Sequence, residues 1–221
     1  MKPPVIELEQ VTVVKGEKNI LDIDHLMLRM GERVSFMGPN GAGKTTLLNV
    51  MALLQPTTTG TLSLFGEDTA KQNTLQLRRR MGMVFQEPLL LDISVYSNIE
   101  LGLRFREVGK SERADRVNYW LDKLGIRHLS DRSPRFLSGG EAQRTNLARA
   151  FVLEPEIIFF DEPFNNIDSR SRDNIIDQID TFLKNSGATA IFVLHQMEHT
   201  VKLAYTINYL DDGKLILTKR A

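Results

Sequence analysis

The sequence predicts an α/β fold: a buried, mostly parallel sheet with an N-terminal antiparallel β subdomain and a helical subdomain. Three observations carry this. Four apolar runs, residues 33–37, 83–85, 157–160 and 191–194, each end in a polar residue or a glycine loop. Unbroken apolar strands mark a parallel sheet covered on both faces. Residues 33–54, RVSFMGPNGAGKTTLLNVMALL, read as strand, glycine-rich loop and helix in succession. Ahead of them, residues 5–14 and 20–30 carry strand-forming side chains on either side of a turn marked by Gly16.

Length and composition bound the rest. A chain of 221 residues, 42% hydrophobic, allows one large domain. The expectation is a single domain over residues 1–221 with a helical subdomain over about 88–150. Lys+Arg and Asp+Glu both number 28, giving no net charge, which argues against nucleic acid as a partner. With no cysteine, disulfides, thiolate metal sites and cysteine nucleophiles are excluded. No apolar run reaches the roughly 18 residues that a membrane helix requires, and MKPPVIELEQ lacks a signal-peptide core. The expected location is cytoplasmic, peripheral to the membrane through a partner.

The elements follow in order. After the two N-terminal strands, Gly31 and Glu32 turn the chain into the strand at 33–37. The helix after the glycine loop buries Leu47, Leu48, Val50, Met51, Leu53 and Leu54 and stops at Pro56. A strand at 61–65 and a short helix at 74–80 precede the apolar strand at 82–85, which ends at Gln86. Residues 87–135 are charge-dense, with helical spacing at Val117, Trp120, Leu121 and Leu124, and Trp120 reads as a core residue. A helix over 138–153 turns Leu147, Ala148, Ala150, Phe151 and Val152 inward. Asp168 caps the next helix, which runs to Gly187. A short helix, a strand at 207–210, a turn at 211–213 and a strand at 214–218 close the chain.

Residues 38–45 match the phosphate-loop pattern, with Gly38, Gly43, Lys44 and Thr45 at the required offsets. Gly38, Gly41 and Gly43 let consecutive backbone N–H groups turn inward toward phosphate oxygens, and the helix starting near Lys44 adds its positive end. Lys44 supplies charge to the β- and γ-phosphates, and the Thr45 hydroxyl suits Mg²⁺. The structural alternative is a glycine-rich turn with an exposed lysine; the flanking strand and helix favour phosphate. In a parallel sheet, ligands bind beyond the carboxyl ends of the strands. Residues 38–45, Gln86, Asp161, Glu162 and His195 should therefore converge on one nucleotide. Asp161 suits Mg²⁺ or its water, and Glu162, one residue on, suits a general base for the attacking water. Residues 137–141, LSGGE, form a second phosphate-seeking helix start. Ser138 with Glu141 fits a capping box, and Gly139 and Gly140 add no side-chain bulk. His25, His128 and His199 read as structural.

GPNGAGKT, Gln86, LSGGE, IIFFDEP and His195 stand in the order found in the ATP-binding cassette (ABC) ATPases. The chain resembles that family over nearly its whole length, and LSGG is specific to it. The resemblance implies a P-loop NTPase core and an ATP-dependent head-to-tail homodimer. Each ATP, with Mg²⁺, would lie between Gly38, Pro39, Asn40, Gly41, Ala42, Gly43, Lys44, Thr45 and Thr46 of one copy and Ser138, Gly139 and Gly140 of the other. Thr45, Gln86 and Asp161 would hold the metal. Glu162 would be the catalytic base, His195 would contact the γ-phosphate, and Gln86 with the segment after it would couple hydrolysis to an integral membrane permease. A periplasmic or extracellular solute-binding protein would act indirectly. MALLQPTTTG, VFQEPLLLDISVYSNIELGLRFR, LSGGEAQR and DEPF look closest to importers of tungstate or molybdate, in a form without the C-terminal regulatory domain that many importer ATPases carry.

The sequence departs from the family pattern at Val13-Val14-Lys15, where an aromatic usually stacks on adenine, at Leu194, where Thr or Ser is common, and at Asn165-Asn166-Ile167-Asp168; Glu141 stands where Gln is more frequent. Three other readings compete. A P-loop small-molecule kinase leaves LSGGE unexplained. A DNA-repair ABC ATPase needs a long coiled-coil insertion between Gln86 and Ser138. An ABC ATPase of a non-import complex, for lipoprotein release or cell-envelope regulation, has the same motifs.

Overall fold

The computed structural model describes residues 3–165, 167–194 and 196–220. The chain opens with a hairpin of β1 (Pro4–Lys15) and β2 (Lys18–Arg29), paired antiparallel around Gly16. Val5, Leu8, Val11 and Val13 of β1 are buried. After β3 (Arg33–Met37) and α1 (Lys44–Met51), β4 (Thr59–Leu64) returns to pair with β1, and β5 (Glu67–Asp68) completes a four-stranded sheet in the order β2-β1-β4-β5.

The second sheet holds the apolar runs. α2 (Thr74–Arg79) leads into β6 (Met81–Val84), then α3 (Val95–Phe105), α4 (Lys110–Lys123) and α5 (Gly139–Phe151). β7 (Ile157–Asp161), α6 (Ser169–Ser186), β8 (Thr189–Val193), α7 (Met197–Leu203), β9 (Thr206–Asp211) and β10 (Lys214–Arg220) follow. The order is β10-β9-β3-β8-β7-β6, parallel from β9 through β6, with β10 antiparallel at its edge.

The apolar runs are continuous because both faces of this sheet are covered. Ile157, Phe159, Ile191 and Val193 pack with α1 and the antiparallel sheet. Their neighbours Ile158, Phe160, Ala190 and Phe192 pack with the helices of the other face. Phe160 stacks on Phe192 across adjacent strands at 4.7 Å. The helices at 95–151 share this second core. Phe151 of α5 stacks on Phe182 of α6 at 3.9 Å, and half-buried Trp120 of α4 lies 5.2 Å from Phe151 and 5.7 Å from Phe182.

The expected elements form, with ends displaced by a few residues; the helix after the glycine loop stops at Met51, so Leu53 is only half-buried and Leu54, read as buried, is exposed. The strand read as 82–85 is Met81–Val84, so Phe85 already belongs to the loop. The helix read as 138–153 is Gly139–Phe151, with Ser138 as its cap. Asp168 caps α6, accepting from the Ser171 N–H, and Gly187 ends that helix in the left-handed conformation. Residues 207–210, read as a closing strand, belong to β9, which adds to the parallel sheet beside β3. No helix of the described residues is long and apolar enough to cross a membrane.

Candidate functional site

Strand register brings the glycine loop, Gln86, Asp161 and Glu162 to one end of the sheet. Val84 pairs with Phe160, Asp161 with Val193, and Val193 with Phe36, so β6, β7, β8 and β3 end at one sheet edge. Gln86 lies two residues beyond Val84, as Glu162 lies two beyond Phe160, on adjacent strands. The glycine loop begins directly after β3. His195, expected at the end of β8, lies outside the described residues, as does Asn166.

The loop is shaped by close approaches that only glycine permits. Gly38 has φ +148°, and a Cβ there would lie 2.0 Å from the Leu210 carbonyl oxygen. Gly43 caps α1 at φ +97°, and its Cβ would meet the Ile20 carbonyl at 2.7 Å. The β2 strand and the end of β9 therefore press on the loop from two sides. A further brace joins them: Gly213 N–H donates to the Ala42 carbonyl at 3.1 Å, and Asp22 N–H donates to the Gly213 carbonyl at 2.9 Å.

Lys44 is buried, and its ammonium donates to the carbonyls of Gly38 at 2.9 Å and Pro39 at 2.8 Å. Burial holds its pKa below the ordinary lysine value, against the opposing pull of the Glu162 and Asp161 carboxylates. Thr45 donates its hydroxyl proton to Asp161 Oδ1 at 3.3 Å, tying the loop to the acid-bearing strand. Asp161 is buried, whereas Pro39, Asn40, Gly41 and Thr45 are exposed.

Glu162 has φ +45°, an uncommon backbone state for a residue with a side chain. Its N–H donates to the Val193 carbonyl at 3.0 Å, its carbonyl accepts from the Asn165 N–H at 3.2 Å, and its carboxylate accepts from the Asn165 side chain. Such strain persists where the surroundings over-determine the backbone, often at functional sites.

The second helix start is built as expected. Ser138 accepts from the Glu141 N–H at 3.3 Å, and Glu141 Oε2 accepts from the Ser138 N–H at 2.8 Å. That backbone hydrogen bond is the main cause of the lowered Glu141 pKa. Ser138 and Gly139 are exposed, and Gly140 lies beside Ser171 at the start of α6. Among the described residues, no hydrogen bond links this helix start to the glycine loop of the same chain. A groove of about 1100 Å³ lies away from the loop, between α4 and α6, so size alone does not mark the site.

The glycine loop, the acid pair at the end of β7 and the Ser-Gly-Gly helix start all lie within residues 21–165, the stretch that matches the ABC transporter family model. The chain belongs to the ABC transporter family. The molybdate/tungstate import ATP-binding protein WtpC of Thermococcus kodakarensis is 35% identical over 213 residues, covering 96% of this chain and 64% of that one. The Fe(3+) ions import ATP-binding protein FbpC 1 of Haemophilus influenzae is 32% identical over 210 residues, covering 95% and 63%. The chain thus spans somewhat under two thirds of the length of these curated relatives. Among solved structures, a dimeric ATP-binding cassette in a post-hydrolysis state, bound to ADP and Pi, superposes with TM-score 0.87 at 30% identity, covering 97% of this chain and 98% of that one.

The sequence motifs of this ABC cassette leave out two buried polar side chains that bond to the loops beside Glu162 and Gln86. Gln143 and Asn146 are buried on α5 and donate to backbone carbonyls in the Glu162 and Gln86 loops. Their signal was present: polar residues spaced by three on a helix that also turns Leu147, Ala148, Ala150 and Phe151 inward.

Proposed function

We propose that the chain binds ATP with Mg²⁺, hydrolyses it in a head-to-tail dimer with a second copy, and drives an import permease on the cytoplasmic face of a membrane. The observation that carries this reading is the Thr45–Asp161 hydrogen bond, which ties the phosphate loop to the strand presenting Glu162. Thr45 and Asp161 supply two hard oxygen donors, and among the described residues no group of three or more His, Asp or Glu forms an all-protein metal cage. That donor set fits Mg²⁺ shared with substrate phosphates. When bound, the ion would neutralise phosphate charge, with Thr45, Asp161 and Gln86 as its protein partners.

The chain's own residues divide the remaining work. The N–H groups of the loop residues other than Pro39, together with the α1 N-terminus, cradle the phosphates, and Lys44 exchanges its carbonyl partners for phosphate oxygens. Glu162 takes a proton from the attacking water, and His195 contacts the γ-phosphate. The phosphate loop is exposed at Pro39, Asn40, Gly41 and Thr45, and so are Ser138 and Gly139. A second copy's Ser138, Gly139 and Gly140 would cover the nucleotide and exclude water. The whole chain then acts as one catalytic domain, with residues of about 88–150 as its helical subdomain.

An apolar groove of about 360 Å³, lined by Phe85, Leu101, Phe105 and Leu153, reaches the Gln86 loop at Phe85. Its place beside that loop supports a permease segment as its occupant. An oxyanion such as molybdate or tungstate is the proposed cargo, chosen by the permease and a solute-binding protein; a molybdate/tungstate import subunit is among the relatives, at 35% identity. Copurification of the chain with its permease, followed by identification of the bound solute, tests this. Recovery with a lipoprotein-release or other non-import complex would sink the import reading.

A further inference from the structure

Helix α5, which begins at the Ser-Gly-Gly start, carries a row of buried polar side chains that the proposed chemistry does not use. Gln143 is 3% exposed, and its Nε2 donates to the Pro163 carbonyl at 2.9 Å. Asn146, also 3% exposed, donates from Nδ2 to the Phe85 carbonyl at 3.2 Å and to Gln143 Oε1 at 3.4 Å. One turn further, Arg149 donates to the carbonyls of Pro88 at 3.1 Å and Leu89 at 3.0 Å. Pro163 directly follows Glu162, and Phe85 directly precedes Gln86. The carboxamides thus link the Pro163 carbonyl to the Phe85 carbonyl through a single buried pair.

A buried polar pair is costly unless satisfied, because each carbonyl it caps would otherwise lose water without replacement. Apolar residues would fill the same space without that requirement. The geometry gives the pair a use. Glu162 sits in a strained backbone state, which needs external ties to persist, and the Gln143 hydrogen bond anchors the next residue. Asn146 does the same for the loop carrying Gln86.

We infer that Gln143 and Asn146 are positioning residues for hydrolysis: the buried carboxamide pair holds the Glu162 and Gln86 loops in one fixed relation to each other and to the Ser138 helix start. This rests on the reading of Glu162 as the base. Displacing a reacting group by about 1 Å can cost roughly 10²-fold in rate.

The test measures kcat and KM for ATP with Mg²⁺ on the full chain. Gln143→Met keeps volume and removes the donor; it should lower kcat about 10- to 10²-fold while KM stays within about threefold. Combined with Glu162→Gln, it should add no further loss, because the group it positions is already gone. Asn146→Leu should lower kcat and raise the Mg²⁺ concentration needed for half-maximal rate. Thr145→Val is the structural control. Thr145 is equally buried on α5, and its hydroxyl donates within that helix, to the Glu141 carbonyl at 2.9 Å; the kcat of the variant should match the parent. Should Gln143→Met fail to fold, Gln143→Glu serves. Its protonated carboxyl still donates to Pro163, so kcat should decline with rising pH more steeply than the parent's. The inference is overturned if Gln143→Met costs the same factor with and without the Glu162 carboxylate, if Thr145→Val matches it, or if Gln143→Met keeps parental kcat while Glu162→Gln loses turnover. Glu162→Gln with parental turnover removes the base assignment instead, and the Glu162 half of this inference with it.

Discussion

At the scale of single residues, the proposed chemistry concentrates on Glu162 and Lys44. Glu162→Gln keeps the side chain's size and removes its basicity. It should retain ATP binding and lose about 10²–10⁴ in turnover, and the unhydrolysed nucleotide should hold two copies together during gel filtration. Near-parental hydrolysis would defeat the assignment. Lys44 yields a pH prediction. Burial lowers its pKa in the free chain, and bound phosphate must raise it. ATP affinity should therefore be flat at low pH, where Lys44 is charged in both states, and fall as pH rises through the lowered pKa. Lys44→Arg, which stays charged, should flatten any such fall; a fall that persists in that variant would locate the titration elsewhere. Lys15, exposed at the β1–β2 turn, offers no ring for adenine, whereas stacking on an aromatic contributes on the order of 1–3 kcal/mol. The chain should discriminate poorly between ATP and GTP, and Lys15→Tyr should tighten ATP. Competition binding that shows a preference for ATP well above tenfold, unchanged in Lys15→Tyr, would rule this out.

At the scale of elements, the glycine loop is held from outside. Its motif is legible in the sequence, but its neighbours are not: β2, the end of β9 and the 211–213 turn reach it from distant stretches of chain. Gly38→Ala would set a methyl 2.0 Å from the Leu210 carbonyl, at a φ that side chains rarely adopt. The loop or β9 must shift, so ATP affinity should drop at least tenfold while the far-UV circular dichroism stays parental. Unchanged affinity would show that the close approach does not matter to binding.

At the scale of the molecule, the proposed site is divided between two copies. Ser138→Arg puts a bulky cation at the exposed helix start, and Lys44→Ala disables the phosphate loop. Each variant alone should fail to hydrolyse ATP, and a mixture should recover at most one working site per mixed dimer. Two variants that behave as independent monomers, each unaffected by the other, would refute the shared site. The helices at 95–151 are tied to the rest by the Phe151–Phe182 stack and the Trp120 ring beside it. Phe151→Ala should cost roughly 3–5 kcal/mol, the usual range for emptying a buried aromatic site, measured by denaturant unfolding.

Short stretches of the sequence set the local chemistry: the apolar runs of the parallel sheet, the glycine loop and helix that follow β3, the acid pair at the end of β7, and the capped start of α5. These are legible because hydrophobic period, glycine placement and capping residues act over a few neighbours in the chain. Tertiary structure alone decided the strand order, the addition of β9 beside β3, the bracing of the loop by the Gly213 turn, and the capping of the Pro163 and Phe85 carbonyls by Gln143 and Asn146. Each of those depends on which backbone groups arrive at a given place from far along the chain. A carboxamide donor on α5 looks the same in the sequence whether its acceptor is water or the carbonyl beside Glu162.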